Sequence, residues 1–447
     1  MPNPGREWLR LAGIDRAVGF AVLTRTWQAL AVPLNLVLIA LFLSREEQGY
    51  YYTFASLLAL QAFVELGLSS VVVNVASHEW AGLRLDDTGK LAGSMEARGR
   101  LASLGRLVFK WYAVASPVFM MAVGGAGYWF FSVEQNTTIA WQLPWLATVV
   151  LSGMMLVLMP FIALLEGCNQ VNRVNYFRMT QAILSSAAFW LVLMLHGGLW
   201  AAAAAVAVNV LRGGWFVAFE HRSFFASLLR SATVHQMNWR SEIWPLQWRL
   251  AVSWLFGYFA FSLFTPVMFH YHGPVLAGQM GMTWSLASGI QSFAMAWLQP
   301  KAPVFGVLIA NKQYASLDSM FFRTSIRVLA ITAFGAIAVW SVVAALYAAG
   351  HPIAQRVLPP LSTAVFMAAI LLMQITFCQS VYLRAHKREP LVLVSSVFGL
   401  SVGLSVWLLG SRFGATGAAI GYLASAVLAV AWETRIWLRC RAQWHMT

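Results

Sequence analysis

The sequence predicts an all-α integral membrane protein of about twelve transmembrane helices in two parallel six-helix lobes. Three observations predict it. The 447 residues are 60% hydrophobic and only 10% charged, with a mean hydropathy of +0.67, which excludes a soluble globular chain. The apolar residues run in long stretches; about 20 of them cross a ~30 Å hydrocarbon core as a helix, whereas barrel strands alternate polarity over about ten. Finally, Gly49-Tyr-Tyr-Tyr-Thr53-Phe54-Ala-Ser56, opening the second span, is echoed by Gly278-Gln-Met-Gly-Met-Thr283-Trp284-Ser285, opening the eighth. A repeat every six spans, an even number, relates two parallel halves by an axis along the membrane normal.

Hydropathy and turn signals place spans at about 17–43, 50–77, 107–131, 143–165, 178–196, 199–219, 247–270, 274–299, 326–348, 360–383, 390–410 and 415–437. The first run is too long for a signal-peptide core and lacks an early small-residue cleavage pattern, so it is expected to be retained. With the N-terminus inside, 78–106, 166–177, 220–246, 300–325, 384–389 and the tail from 438 are cytoplasmic. Of the 30 Lys and Arg residues, only Arg45, Arg356 and Arg412 then fall outside. That asymmetry follows the positive-inside rule and puts both termini in the cytoplasm. The net charge of +14 is therefore an inner-face property, suited to anionic membrane lipid and not to nucleic acid.

Outer loops such as SVEQNTTIAWQ and AAGHPIAQRVLPP are too short for a catalytic domain. Inner segments 78–106, 220–246 and 300–325 mix Arg or Lys with Leu, Phe and Trp, and read as amphipathic helices at the interface. The repeat divides the chain into an N-terminal lobe 1–219, a cytoplasmic interfacial linker 220–246 and a C-terminal lobe 247–447.

Arg25 is the one charge inside the first apolar run, where it costs roughly 2.5–3.5 kcal/mol on insertion scales. Gln28 and Asn35 fall about 60° and 80° around the helix from it, so the span carries a polar stripe headed by a permanent cation. Such a stripe faces a protein interior or a wet cavity. The alternative is that Arg25 snorkels to the inner headgroups, about 12 Å away at 1.5 Å per residue. Arg249, near the start of span seven, is its counterpart in the second half, and a plain interface anchor is the alternative there. Glu65 lies mid-span, between Gln61 and Ser69. An acid at that depth either pairs structurally with Arg25 or serves a coupling ion or proton. Trp284, Ser288 and Gln291 share one side of span eight, as a sugar-facing stripe or as interhelical contacts.

Cys168, Cys378 and Cys440 fit neither a disulfide framework nor a zinc site, and His270 and His272 lack a third ligand. No metal or cofactor is expected. The sequence has no Gly-rich phosphate loop with Lys, no G-x-S-x-G and no H-E-x-x-H, which argues against an enzyme and against ATP-driven transport by this chain alone.

The stretch EQGYYYTFASLLALQAFVELGLSSVVVNVASHEWAG, ending at Gly82, together with LLEGCNQVNRVNYFR (164–178) and the Gly278–Ser285 opening, carries a family resemblance. It resembles the Wzx-type O-antigen and exopolysaccharide flippases of the multidrug/oligosaccharidyl-lipid/polysaccharide (MOP) exporter superfamily. The resemblance implies two six-helix lobes around a central cavity that opens alternately to each side of a bacterial inner membrane. It implies as cargo an undecaprenyl-pyrophosphate-linked oligosaccharide, delivered outside for O-antigen (lipopolysaccharide), capsule or exopolysaccharide assembly. It also makes polysaccharide polymerase machinery a candidate partner. Arg25 and Arg249 occupy places where such flippases carry cavity cations, and an arginine fork makes two parallel hydrogen bonds to phosphate. Gln28, Asn35, Gln61, Trp284 and Gln291 are the further expected cargo-binding residues, with Glu65 as a coupling or structural charge.

Two rival functions stay open. An ion-coupled multidrug antiporter of the same superfamily needs an acid to hold a cationic drug, and span one has none. A membrane glycan polymerase or ligase needs a large outer loop, which this chain lacks.

Overall fold

The computed structural model describes residues 16–133, 138–230, 237–386, 388 and 390–445. Its first half holds α1 (Arg16–Phe42), α2 (Arg45–Leu58), the single turn α3 (Ala62–Glu65), α4 (Leu68–Trp80), α5 (Met95–Ser132), α6 (Gln142–Gly167), α7 (Val171–Met194), α8 (Trp200–Trp215) and α9 (Arg222–Arg230). The second half holds α10 (Trp244–Phe261), α11 (Phe264–Met295), α12 (Ala302–Ala310), α13 (Tyr314–Ala348), α14 (Pro360–Ala385) and α15 (Val392–His445).

Among the described residues nine helices are long and apolar enough to cross a membrane, and Arg45–Glu65 with Leu68–Trp80 adds a tenth as a bent pair. Two of the nine hold two spans each. The chain breaks at Gly273 inside α11, where φ is 84°, and at Gly414 inside α15, where φ is 61°. Glycine alone adopts those left-handed values without steric cost. Twelve spans result, the number expected from hydropathy.

The boundaries differ from expectation where polar chemistry outweighs hydropathy. Span two starts at Arg45, not at 50, because Ser44 and Glu47 form a reciprocal capping box: Glu47 N donates to Ser44 Oγ at 3.0 Å, and Ser44 N to Glu47 Oε2 at 2.7 Å. The same span is broken, not straight. Leu66 (φ 48°) and Gly67 (φ 68°) are both left-handed, and the arms meet at 43°. Segment 78–106 is not an amphipathic helix throughout. It folds as an antiparallel hairpin, β1 (Leu83–Leu85) on β2 (Leu91–Gly93), before α5 begins. The Asp86 carboxylate forces that turn by accepting from Thr88 N, Thr88 Oγ1 and Lys90 N at 2.8–2.9 Å.

The chain divides into two compact units. One comprises the described residues of Met1–Leu43 and Leu60–Trp254; the other comprises Ser44–Ala59 and those of Leu255–Thr447. In the first, α1 packs along α7, α5 along α6, and both α6 and α7 against α8. In the second, α14 packs along α13 and α15, and α11 carries α2.

The α2–α11 contact is made of backbone. A Cβ on Gly49 would overlap the Pro274 carbonyl, and one on Gly281 would enter the Tyr52 ring. Gln48 Nε2 donates to the carbonyls of Gly278 (2.8 Å) and Arg356 (2.9 Å). The two repeated openings, Gly49–Ser56 and Gly278–Ser285, are thus packed on each other.

Candidate functional site

In the first unit, α1 lies against α7, and their facing sides leave a cavity of about 560 Å³. Arg25, Gln28 and Asn35 of α1 line it, with Thr24 one residue earlier. The polar stripe read from span one thus lies along the wall of this cavity. Arg25 makes no ion pair among the described residues.

The opposite wall was not legible in advance as a site. Asn175, Arg178, Gln181, Ser185 and Ser186 project from α7, and Asn209 from α8. Their spacing repeats every three or four residues, which sets them on one face of a helix. Asn175 lies ahead of the expected start of span five at 178, whereas α7 starts at Val171.

Indole and amide groups fix the walls. Trp190 Nε1 donates to Asn35 Oδ1 at 2.5 Å, Trp27 Nε1 to Ser186 Oγ at 3.4 Å, and the two indoles lie 5.7 Å apart. Gln181 Nε2 donates to the Asn209 carbonyl at 3.3 Å, while Asn209 Oδ1 is buried with no partner among the described residues. Arg178 binds Glu166, which does not itself line the cavity, through NH2–Oε2 at 2.6 Å and NH1–Oε1 at 3.3 Å. Among the described residues the lining thus contains two guanidiniums, one already neutralised, several amides and hydroxyls, and no carboxylate. Such a surface suits an anion carrying hydroxyl or amide groups.

The other expected residues lie elsewhere. Glu65 is buried (3% exposed) at the bend of span two and hydrogen-bonds Ser69, whose Oγ lies 3.4 Å from Tyr112 OH. Among the described residues no ion pair joins it to Arg25. Gln61 ends the 3₁₀ turn Ala59–Gln61 and does not line this cavity. Trp284 packs among Phe261, Phe264, Phe366 and Tyr422 of the second unit. Gln291 is buried there and donates to the Ile370 carbonyl at 3.3 Å. Arg249 falls on α10, but its side chain lies outside the described residues. His272 Nε2 bonds the Gly410 carbonyl at 2.8 Å, and no group of three or more potential metal ligands occurs among the described residues.

No family model matches the chain, and no curated protein matches it in sequence. Solved structures do match in fold. The chain is similar to an inward-facing multidrug resistance MATE family transporter of the MOP superfamily, with a TM-score of 0.62 over 94% of this chain and 98% of that one, at 14% identity. The chain has the fold of MOP transporters. It is also similar to the lipid II flippase MurJ in an inward closed conformation, with a TM-score of 0.60 over 93% and 86% of the two chains, at 13% identity. A mutant MATE transporter of Vibrio cholerae matches with a TM-score of 0.57 over 96% and 97%, at 12% identity. These likenesses show the fold, and the long apolar helices make the chain a multi-pass membrane protein.

Proposed function

We propose that the chain is a flippase for undecaprenyl-pyrophosphate-linked oligosaccharide in a bacterial inner membrane, with both termini cytoplasmic, feeding O-antigen, capsule or exopolysaccharide assembly. The observation that carries this reading is Arg25, a permanent cation in a cavity lined, among the described residues, by amides and hydroxyls and by no carboxylate. A pyrophosphate brings the charge that Arg25 lacks, and sugar hydroxyls meet the amide walls. Alternating access moves this polar headgroup across while the polyprenyl tail stays in lipid. That removes the chief barrier, which is the desolvation of phosphate and hydroxyl groups in hydrocarbon. One solved neighbour is itself a lipid II flippase, which supports a lipid-linked cargo. Polysaccharide polymerase machinery is the natural recipient of the product.

The test is rescue of cells lacking their own flippase, scoring lipid-linked oligosaccharide on each side of the membrane. Wild type restores outer-face glycan, and Arg25→Ala at matched expression does not. Full rescue by Arg25→Ala overturns the cationic-cavity mechanism; glycan already outside without the chain overturns the flippase reading in favour of a polymerase or ligase.

A second reading, an ion-coupled multidrug antiporter, is favoured by one observation: the buried Glu65 beside Ser69 and Tyr112. It requires that Glu65→Gln abolish a proton- or sodium-driven efflux of cationic dye. The carboxylate-free cavity ranks it second.

A further inference from the structure

Helices α1 and α7 run side by side in the same direction. Phe20 meets Tyr176, Trp27 meets Ser186, Asn35 meets Trp190 and Phe42 meets His196. The residues lining the 560 Å³ cavity therefore sort along one axis. Arg25 and Arg178 lie toward the starts of the two helices, and Asn35 and Ser186 lie toward the other end. Ten positions separate Arg25 from Asn35, about 15 Å at 1.5 Å per residue. That rise leaves room for a diphosphate at one end and the sugar next to it at the other.

Hydrogen-bonding roles change along the axis. An indole N–H only donates. Trp190 Nε1 donates to Asn35 Oδ1 at 2.5 Å, which fixes the amide with its oxygen on the indole and leaves the Nδ2 hydrogens uncommitted among the described residues. Trp27 Nε1 donates to Ser186 Oγ at 3.4 Å, and the Ser186 O–H is likewise uncommitted among the described residues. The next residue is set the opposite way. Ser185 donates its hydroxyl to the Ala182 carbonyl at 3.3 Å, and Gln181 Nε2 donates to the Asn209 carbonyl at 3.3 Å, so both offer oxygen lone pairs. Asn35 and Ser186 are only half-buried, which leaves their donors within reach of a ligand.

The donor end is uncharged, since both cations of the described lining lie at the other end. It matches a neutral oxygen that only accepts, which is a carbonyl. A carboxylate there would lose water beside two indoles with no counter-charge. Ala31, Val32 and Ala182 lie between the two ends and add apolar surface for a methyl group.

We propose that the Asn35–Ser186 end of the cavity selects a cargo whose diphosphate-linked sugar bears an acetamido group, with the two side chains donating to its carbonyl oxygen. Trp190 and Trp27 are positioning residues that aim those donors. The proposal rests on the flippase reading above.

The full chain is placed in nanodiscs of phosphatidylethanolamine and titrated with a polyprenyl diphosphate. It is then titrated with the same lipid bearing glucose, N-acetylglucosamine or glucuronic acid. Wild type binds the acetamido probe about fivefold more tightly than the glucose probe, the gain expected of one added hydrogen bond. Asn35→Leu, of similar size but without donors, brings that ratio close to one. Trp190→Phe keeps a ring but frees the amide, and it lowers the ratio in the same way. The ratio is taken within each variant, so a general loss of affinity cancels, and either variant decides if the other misfolds. Equal binding of the two probes by wild type overturns the proposal, as does a full preference retained by Asn35→Leu or by Trp190→Phe. Tighter binding of the glucuronic acid probe also overturns it, since the end then selects a carboxylate. Failure of wild type to bind the bare diphosphate sinks the flippase reading along with this one, whereas bare binding without the acetamido preference sinks this one alone.

Discussion

Arg178 and Glu166 are joined through both arms of the guanidinium, at 2.6 and 3.3 Å, so one of the two cavity arginines arrives already neutralised. The cavity therefore presents the charge of Arg25, unpaired among the described residues, and a second cation in reserve. Glu166→Gln releases that second cation. It raises the affinity for polyprenyl diphosphate about fivefold, on the scale of roughly 1 kcal/mol for a partly exposed pair, and steepens its salt dependence. Titration at two ionic strengths checks this; unchanged affinity means that Arg178 is purely structural.

Residues on the cavity wall are reachable from water. In a cysteine-free chain, Gln181→Cys and Asn209→Cys react with a water-soluble methanethiosulfonate, and polyprenyl diphosphate slows the reaction. Ser116→Cys stays unlabelled, because Ser116 is 1% exposed and bonds the Gly153 carbonyl at 2.6 Å. Equal labelling at all three positions contradicts the cavity.

The α2–α11 contact tolerates no side chain at Gly49. Gly49→Ala pushes a methyl into the Pro274 carbonyl and lowers stability by roughly 1–3 kcal/mol, the usual range for overpacking. Gly125→Ala, with nothing within 4 Å of the added carbon, is neutral or slightly stabilising. Thermal melts of the two variants in one detergent compare them directly, and equal midpoints refute the close packing.

Acid weakens one junction of the first unit in a defined window. Glu242 accepts from Asn238 N at 2.9 Å and from Arg100 NH2 at 2.5 Å, and these contacts hold its pKa below the ordinary carboxylate value. A depressed folded pKa gives stability that is fully present above the unfolded value of about 4.3 and fades as pH falls through the folded value. Glu242→Gln accordingly lowers the melting midpoint at pH 6 and has little effect at pH 3. An equal loss at both pH values refutes the assignment.

The spans and the α1 half of the cavity were legible because a charge or amide within a long apolar run has few physical explanations. The α7 half was not. Hydropathy trimmed the polar first turns of that helix, and the partner of a polar stripe is a tertiary fact that no single span encodes. The bend of span two was hidden for a similar reason: it rests on Leu66 and Gly67 in left-handed conformation, and leucine gives no warning of that. Trp284 read equally well as sugar platform or core until the rings of Phe264, Phe366 and Tyr422 appeared around it.

The pairing of α1 with α7 also constrains how the protein is made. Arg25 leaves the ribosome about 150 residues ahead of Arg178, a delay of roughly 8–30 seconds at 5–20 residues per second. Throughout that interval α1 carries its cation and amides with no protein wall to face. The nascent first helix must therefore wait beside the insertion machinery, or shelter its polar side in thinned lipid, until α7 emerges to close the cavity around it.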